Sequence, residues 1–338
     1  MHLPFEETTW LDRSIMRARG VAQGRVGQTH RLDEAAQGEF KYTLGPYADP
    51  VLDVAPGDRV VVETLDAFGG RIRSENDRPS DILEMPFGNP QNGPIRVDGA
   101  KKGDVLAVYV ERIVPRGDQP RGTTCLIHEL GGLVGTDITA MLNDPLPEKV
   151  RKVVVDEDWV YWSDRLRLPY EPFIGTIGLS PQIDSISSLV PASHGGNMDL
   201  PETRPGHVIY LPVRAEGAYL FLGDVHATQG DGELSGNAIE HASETTIVVD
   251  LIRDWKITWP RIESEDRIMS VGSARPMEDA ARIAYRDLVD WMATDFGHDR
   301  LEAYMLLSQC GRVRLGNMVD PNYTLAAGIE KQHLYGNL

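Results

Sequence analysis

The chain has 338 residues, 41% hydrophobic and 25% charged, a globular composition long enough for one large domain or two to three intertwined lobes. Its formal net charge of −17 at pH 7 repels phosphate backbones and anionic lipid, which argues against nucleic-acid and membrane partners. Cys125 and Cys310 are the only cysteines, too few for a disulfide framework or a CxxC zinc site.

The first twenty residues, MHLPFEETTWLDRSIMRARG, lack a basic start followed by an apolar core, and no apolar run approaches ~18 residues. A soluble, cytoplasmic protein is the expectation. Residues 1–49 read as an N-terminal extension. From about residue 50 the chain reads as short strands separated by turns: DRVVVE at 58–63 follows a Pro-Gly-Asp turn, and VLAVYV at 105–110 follows a Lys-Gly-Asp turn. Residues 150–161 suggest a hairpin. Further strands are expected at 174–179, 208–213, 218–221, 245–251 and 256–259, with glycine clusters between them. The strand–turn spacing points to a β-sandwich or barrel over residues 50–272, not to alternating βαβ units.

The period changes after Ser273. Pro276 is expected in the first turn of a helix, and Ala280, Ala284, Leu288 and Trp291 follow at helical spacing, predicting the longest helix over 276–296. A second helix is expected from Asp299 to Cys310, ended by Gly311. Residues 273–338 thus form a C-terminal α/β portion, and the fold class is β-rich.

Polar chemistry is densest in GDVHATQGDGE, residues 223–233, just after the apolar run AYLFL. Asp224 and His226 stand two residues apart, so a continuing strand points both to one face, where carboxylate oxygen and neutral imidazole suit a divalent ion. Glycines let the chain turn and return Asp231 and Glu233 towards the same space. The stretch also reads as a plain polar hairpin loop. A second glycine-flanked cluster, SHGGNMD, supplies His194, Asn197 and Asp199, and Asp66 in ETLDAFGG ends a strand, where it reads equally as a turn aspartate. Cys125, His128 and Glu129 form a sequence-local Cys-His-Glu set, although buried packing is the commoner role of a free cysteine. There is no GxSxG elbow and no GxxxxGK[ST] loop.

These segments resemble the acetamidase/formamidase family from about residue 50 to the C-terminus: ETLDAFGG, NGPIRVDGAKKGDVLAVYV, FIGTIGLSP, HGGNMDL, IYLPVRAEGAYLFLGDVHATQGDGELSG and EAYMLLSQCGRVRLGNMVDP. The resemblance implies a CUB-like or jelly-roll β-sandwich with a smaller β-barrel-like lobe, a divalent metal with zinc as first choice, a small-molecule amide substrate and a homo-oligomer. It implies hydrolysis of the amide to a carboxylate and ammonia. On that footing Asp66, His194, Asp224 and His226 are the expected metal ligands and Glu233 the proton shuttle. Asp231 is expected to orient the substrate nitrogen, with Asn197 and Asp199 binding the substrate. The stretch CLIHELGGLVGTDITAML departs from the family's Pro- and Gly-rich loop, which leaves the acyl group open. A non-amidase jelly-roll metalloenzyme and a metal-stabilised binding module are the alternatives.

Overall fold

The runs rich in β-branched residues pair into two facing sheets. In the computed structural model, which describes residues 27–128, 130–134 and 146–334, a nine-stranded sheet has the order Thr29–Leu32, Arg59–Thr64, Ser243–Ile252, Val105–Pro115, Val208–Pro212, Arg261–Glu263, Arg267–Ala274, Tyr323–Glu330, Arg312–Asn317. A five-stranded sheet lies against it: Gly195–Asn197, Phe173–Leu179, Leu220–His226, Gln91–Val97, Leu52–Val54. Pairing is antiparallel except where Thr29–Leu32 meets Arg59–Thr64 and Leu52–Val54 meets Gln91–Val97. Residues 1–26 of the N-terminal extension expected at residues 1–49, Glu129 of the Cys-His-Glu set and residues 135–145 of the divergent stretch lie outside the described residues.

The run VLAVYV is apolar throughout because its strand is covered on both faces. Leu106, Val108 and Val110 pack between the sheets with Ile95, Ile177 and Leu220. Val105 and Ala107 point the other way, onto a layer of helix with Leu288 and Trp291. That layer is chiefly the helix Met277–Phe296, buried through Ala280, Ala284, Leu288, Trp291, Met292 and Phe296, as the spacing predicts. Pro276 precedes it as the N-cap, one step outside the first turn where it was expected. The helix sits hard on the sheet at Gly272, where a Cβ would lie 2.1 Å from the carbonyl oxygen of Ala280. The second helix, Arg300–Cys310, is capped by the Asp299 carboxylate, which accepts from the N–H groups of Leu301 and Glu302.

Two strand expectations need correction. Residues 256–259 are not a strand; Trp255 and Ile257 pack onto the helix-side core, so their apolar character serves burial and not a ladder. Ala218 and Tyr219 have φ of 60° and 53° and form the turn before the strand, which starts at Leu220. Beyond the helices, Arg312–Asn317 and Tyr323–Glu330 continue the large sheet, and the division expected at residue 273 falls inside the strand Arg267–Ala274. The hairpin expected at 150–161 forms the middle of a small four-stranded lobe, Gly122–Leu126, Lys149–Val155, Trp159–Ser163 and Leu166–Pro169. No helix among the described residues is long and apolar enough to cross a membrane.

Candidate active site

The C-terminal end of the strand Leu220–His226 brings Asp224 and His226 together, with the His226 Nε2 3.4 Å from Asp224 Oδ1. Three further carboxylates converge on that nitrogen from separate segments. Glu240 Oε2 lies 3.4 Å away, Asp199 Oδ1 3.9 Å and Glu233 Oε1 4.0 Å. All five side chains are buried. Glu240 arrives because the chain after the GDGE turn bridges antiparallel to His226, with the Ala227 N–H donating to the Ile239 carbonyl at 2.8 Å, and pairs on its other side with the small lobe, where its carbonyl accepts from the Thr123 N–H at 2.9 Å and its N–H donates to the Thr123 carbonyl at 2.8 Å. Asp199 ends the HGGNMD turn, where Asn317 from the far edge of the large sheet donates to its Oδ2 at 3.2 Å.

The backbone is bent to achieve this. Asp199, Asp224 and Glu233 have φ of 47°, 56° and 49°, a left-handed conformation that costs an L-residue roughly 1–2 kcal/mol. Such strain persists where the surroundings hold it and gathers at functional sites. Asp224 is further fixed through Oδ2, which accepts from Asn89 Nδ2 at 2.9 Å and Thr176 Oγ1 at 3.1 Å. Asn197 braces the same wall: its Oδ1 accepts from Asn89 and Thr176, and its Nδ2 donates to Asp320 at 2.9 Å.

Burial, reinforced by the neighbouring carboxylates, pushes Asp199, Glu233 and Glu240 well above the usual carboxylate range. Burial likewise pushes Asp320 up to about 8, with Asp224 adding to the rise. At His226 burial favours the neutral ring, but the Asp224 and Asp199 carboxylates outweigh it and raise its pKa. This is an excess of negative charge gathered where solvation is poor. His226 Nε2, Asp199 Oδ1 and Glu240 Oε2 are buried without a hydrogen-bond partner. Carboxylates only accept, so they cannot satisfy one another unless protons or a cation enter.

A divalent ion fits this set. Tetrahedral zinc with bonds of ~2.0–2.2 Å places neighbouring ligand atoms about 3.3–3.5 Å apart. The separations from His226 Nε2 to Asp224 and to Glu240 are both 3.4 Å. Two sets of side chains offer compact ligand atoms, Asp224–His226–Glu240 and Asp199–His226–Glu233.

The remaining expected residues lie elsewhere. Asp66 is occupied by its own turn, its Oδ1 accepting from the N–H groups of Phe68 at 3.1 Å and Gly70 at 2.7 Å. His194 is buried beside Gly196 with both ring nitrogens unpartnered, and burial, together with the Arg214 charge, lowers its pKa to about 4. Neither joins the ligand sets formed by the described residues. Asp231 faces outward in an ion pair with Arg314 at 3.0 Å. Sequence reasoning missed Glu240, Asp320 and Asn89. Local signals were present in the carboxylate–imidazole pair Glu240-His241 and in the glycine-flanked polar stretches GNPQNG around Asn89 and GNMVDPN around Asp320.

The sequence model of the acetamidase/formamidase family matches residues 29–189 and 183–332, nearly the whole described chain. The chain belongs to the acetamidase/formamidase family. The crystal structure of an acetamidase from Yersinia enterocolitica is 61% identical, superposes with a TM-score of 0.93 and covers 97% of this chain and 99% of its own. An acetamidase from Bacillus halodurans is 30% identical with a TM-score of 0.82, over 90% of this chain and 98% of its own. The formamidase of Methylophilus methylotrophus is 27% identical over 257 residues, 60% of this chain and 61% of that protein. Against the first curated relatives the match thus spans about three fifths of their length, 62% and 61%. Within this family the converging carboxylates and His226 are the candidate active site.

Proposed function

We propose that the protein hydrolyses the C–N bond of a small carboxylic amide to the carboxylate and ammonia, using a divalent cation, with zinc the best fit. The supporting observation is the unpartnered His226 Nε2 buried among four carboxylates. Asp224, His226 and Glu240 would hold the cation, because theirs are the shorter separations. When bound, such an ion supplies Lewis acidity, polarising a carbonyl and lowering the pKa of water to about 7.

The more distant pair is left for the substrate. Glu233, kept protonatable by burial and its neighbours, takes a proton from the attacking water and gives it to the departing nitrogen. A C–O bond forms, the C–N bond breaks, and ammonia leaves with the transferred proton. Asp199, with Oδ1 unpartnered, accepts a hydrogen bond from the amide NH₂ and so orients it. Asn197 acts through the wall it braces, holding Asp320 and receiving the Asn89 and Thr176 donors. A cytoplasmic homo-oligomer is part of the same proposal, with Leu301, Tyr304, Met305 and Val313 as exposed apolar surface for self-association.

Ammonia release from an amide panel, measured beside metal content, tests this. Glu233→Gln should keep the metal and lower kcat by roughly 10²–10⁴-fold. His226→Ala should lose metal and activity together, whereas Asp231→Asn, altered only at the surface pair with Arg314, should do neither. Metal-replete protein that releases no ammonia from any short or aromatic amide would refute the proposal.

A further inference from the structure

The ring of His226 is held by two neighbours of different kinds. Phe173 packs edge-on against it, centroids 4.8 Å apart at 78°, which fixes the plane but selects neither nitrogen. Gln229, three residues further along the chain, is the polar partner of Nδ1 among the described residues, with its Oε1 2.8 Å away. The orientation of that amide follows from its other end. Gln229 Nε2 lies 2.9 Å from the carbonyl oxygen of Asp199 and 2.9 Å from that of Gly316. Carbonyls only accept, so the NH₂ must face them and spend both its hydrogens there. The oxygen therefore faces His226, and Nδ1 must carry the hydrogen it donates.

We infer that Gln229 is a positioning residue that fixes His226 as the Nδ1–H tautomer and presents the Nε2 lone pair to the carboxylate cluster, a role that presupposes the cation site proposed above. The same side chain ties together the Asp199 turn, the strand that carries Asn317 and the His226 ring. A histidine ligand whose second nitrogen donates to a fixed acceptor is better oriented and more basic towards an ion.

The experiment compares the full-length parent with Gln229→Met, which has no donor and only a weak thioether acceptor. Zn²⁺ affinity is measured by chelator competition, and the two His226 nitrogens are followed by ¹⁵N NMR of metal-free protein across pH. In the parent, Nδ1 should stay protonated while only Nε2 titrates. In Gln229→Met the two signals should average towards a tautomer mixture and Zn²⁺ binding should weaken about 10–100-fold. Parental affinity or a pinned Nδ1 in Gln229→Met would overturn the inference. A parent that pins Nδ1 but binds no Zn²⁺ would instead remove the cation site and leave the Gln229–His226 geometry standing.

Discussion

Gly175 is the position where one methyl group should do the most damage. It lies in the strand Phe173–Leu179, opposite Asp224 in a register set by Ile174 against Val225 and Thr176 against Gly223. A Cβ there would lie 2.6 Å from the Asp224 carbonyl oxygen, 2.8 Å from Asp224 Oδ2 and 2.8 Å from His226 Nε2. Relief requires movements of several tenths of an ångström in a buried backbone group and in two proposed ligands at once. Overpacking of this kind costs about 1–3 kcal/mol of stability. Misplacing reacting groups by roughly 1 Å costs on the order of 10²-fold in rate. Gly175→Ala should therefore remain folded in a urea titration, with a modestly lowered midpoint, while bound metal and ammonia release fall steeply. Gly230→Ala is the control, since a Cβ there meets nothing within 4 Å. A Gly175→Ala protein with parental metal content and kcat would show that the Asp224–His226 approach is not where the chemistry happens.

Three further predictions concern other parts of the molecule. Arg261 is buried on Asp287, with contacts of 2.7 and 3.2 Å, and lies over the rings of Trp255 and Trp291; Arg261→Met removes the cation paired with that carboxylate and should cost about 3–5 kcal/mol in urea unfolding. His207, its Nδ1 2.8 Å from the Glu202 carbonyl, has its pKa lowered from 6.5 to about 4 by burial and the Arg204 charge. Below pH 6.5 the unfolded chain binds a proton that the folded ring refuses, so its stabilising effect is present above that pH and is lost as pH falls towards 4; the stability gap between parent and His207→Gln should narrow over that window. Cys125 is buried, and burial pushes its thiol up to about 12, so Cys125→Ala should retain ammonia release and a thiol reagent should not inactivate the native protein; inactivation would revive a cysteine nucleophile.

The sequence by itself determined local structure and the identity of the richest chemical segment. Alternating and doubly apolar runs, Gly-Asp turns and the three- and four-residue spacing before Gly297 specified most strands and the long helix, because those patterns report which side of an element meets the core. The i,i+2 relation of Asp224 and His226 was enough to place both at one site. Asp66 was legible too, but as the turn aspartate it also resembled, since its own backbone donors lie within four residues and satisfy it locally. What only the tertiary structure decided is which distant segments complete the cluster. Glu240 reaches His226 by pairing with it across an antiparallel bridge while also pairing with Thr123 of the small lobe, and Asn89 reaches Asp224 from the segment before the strand Gln91–Val97. Asp320 and Asn317 arrive from the far edge of the nine-stranded sheet. No periodicity along the chain encodes those meetings, because the order of strands across a sheet depends on which apolar faces bury one another, and that is a property of the assembled sandwich.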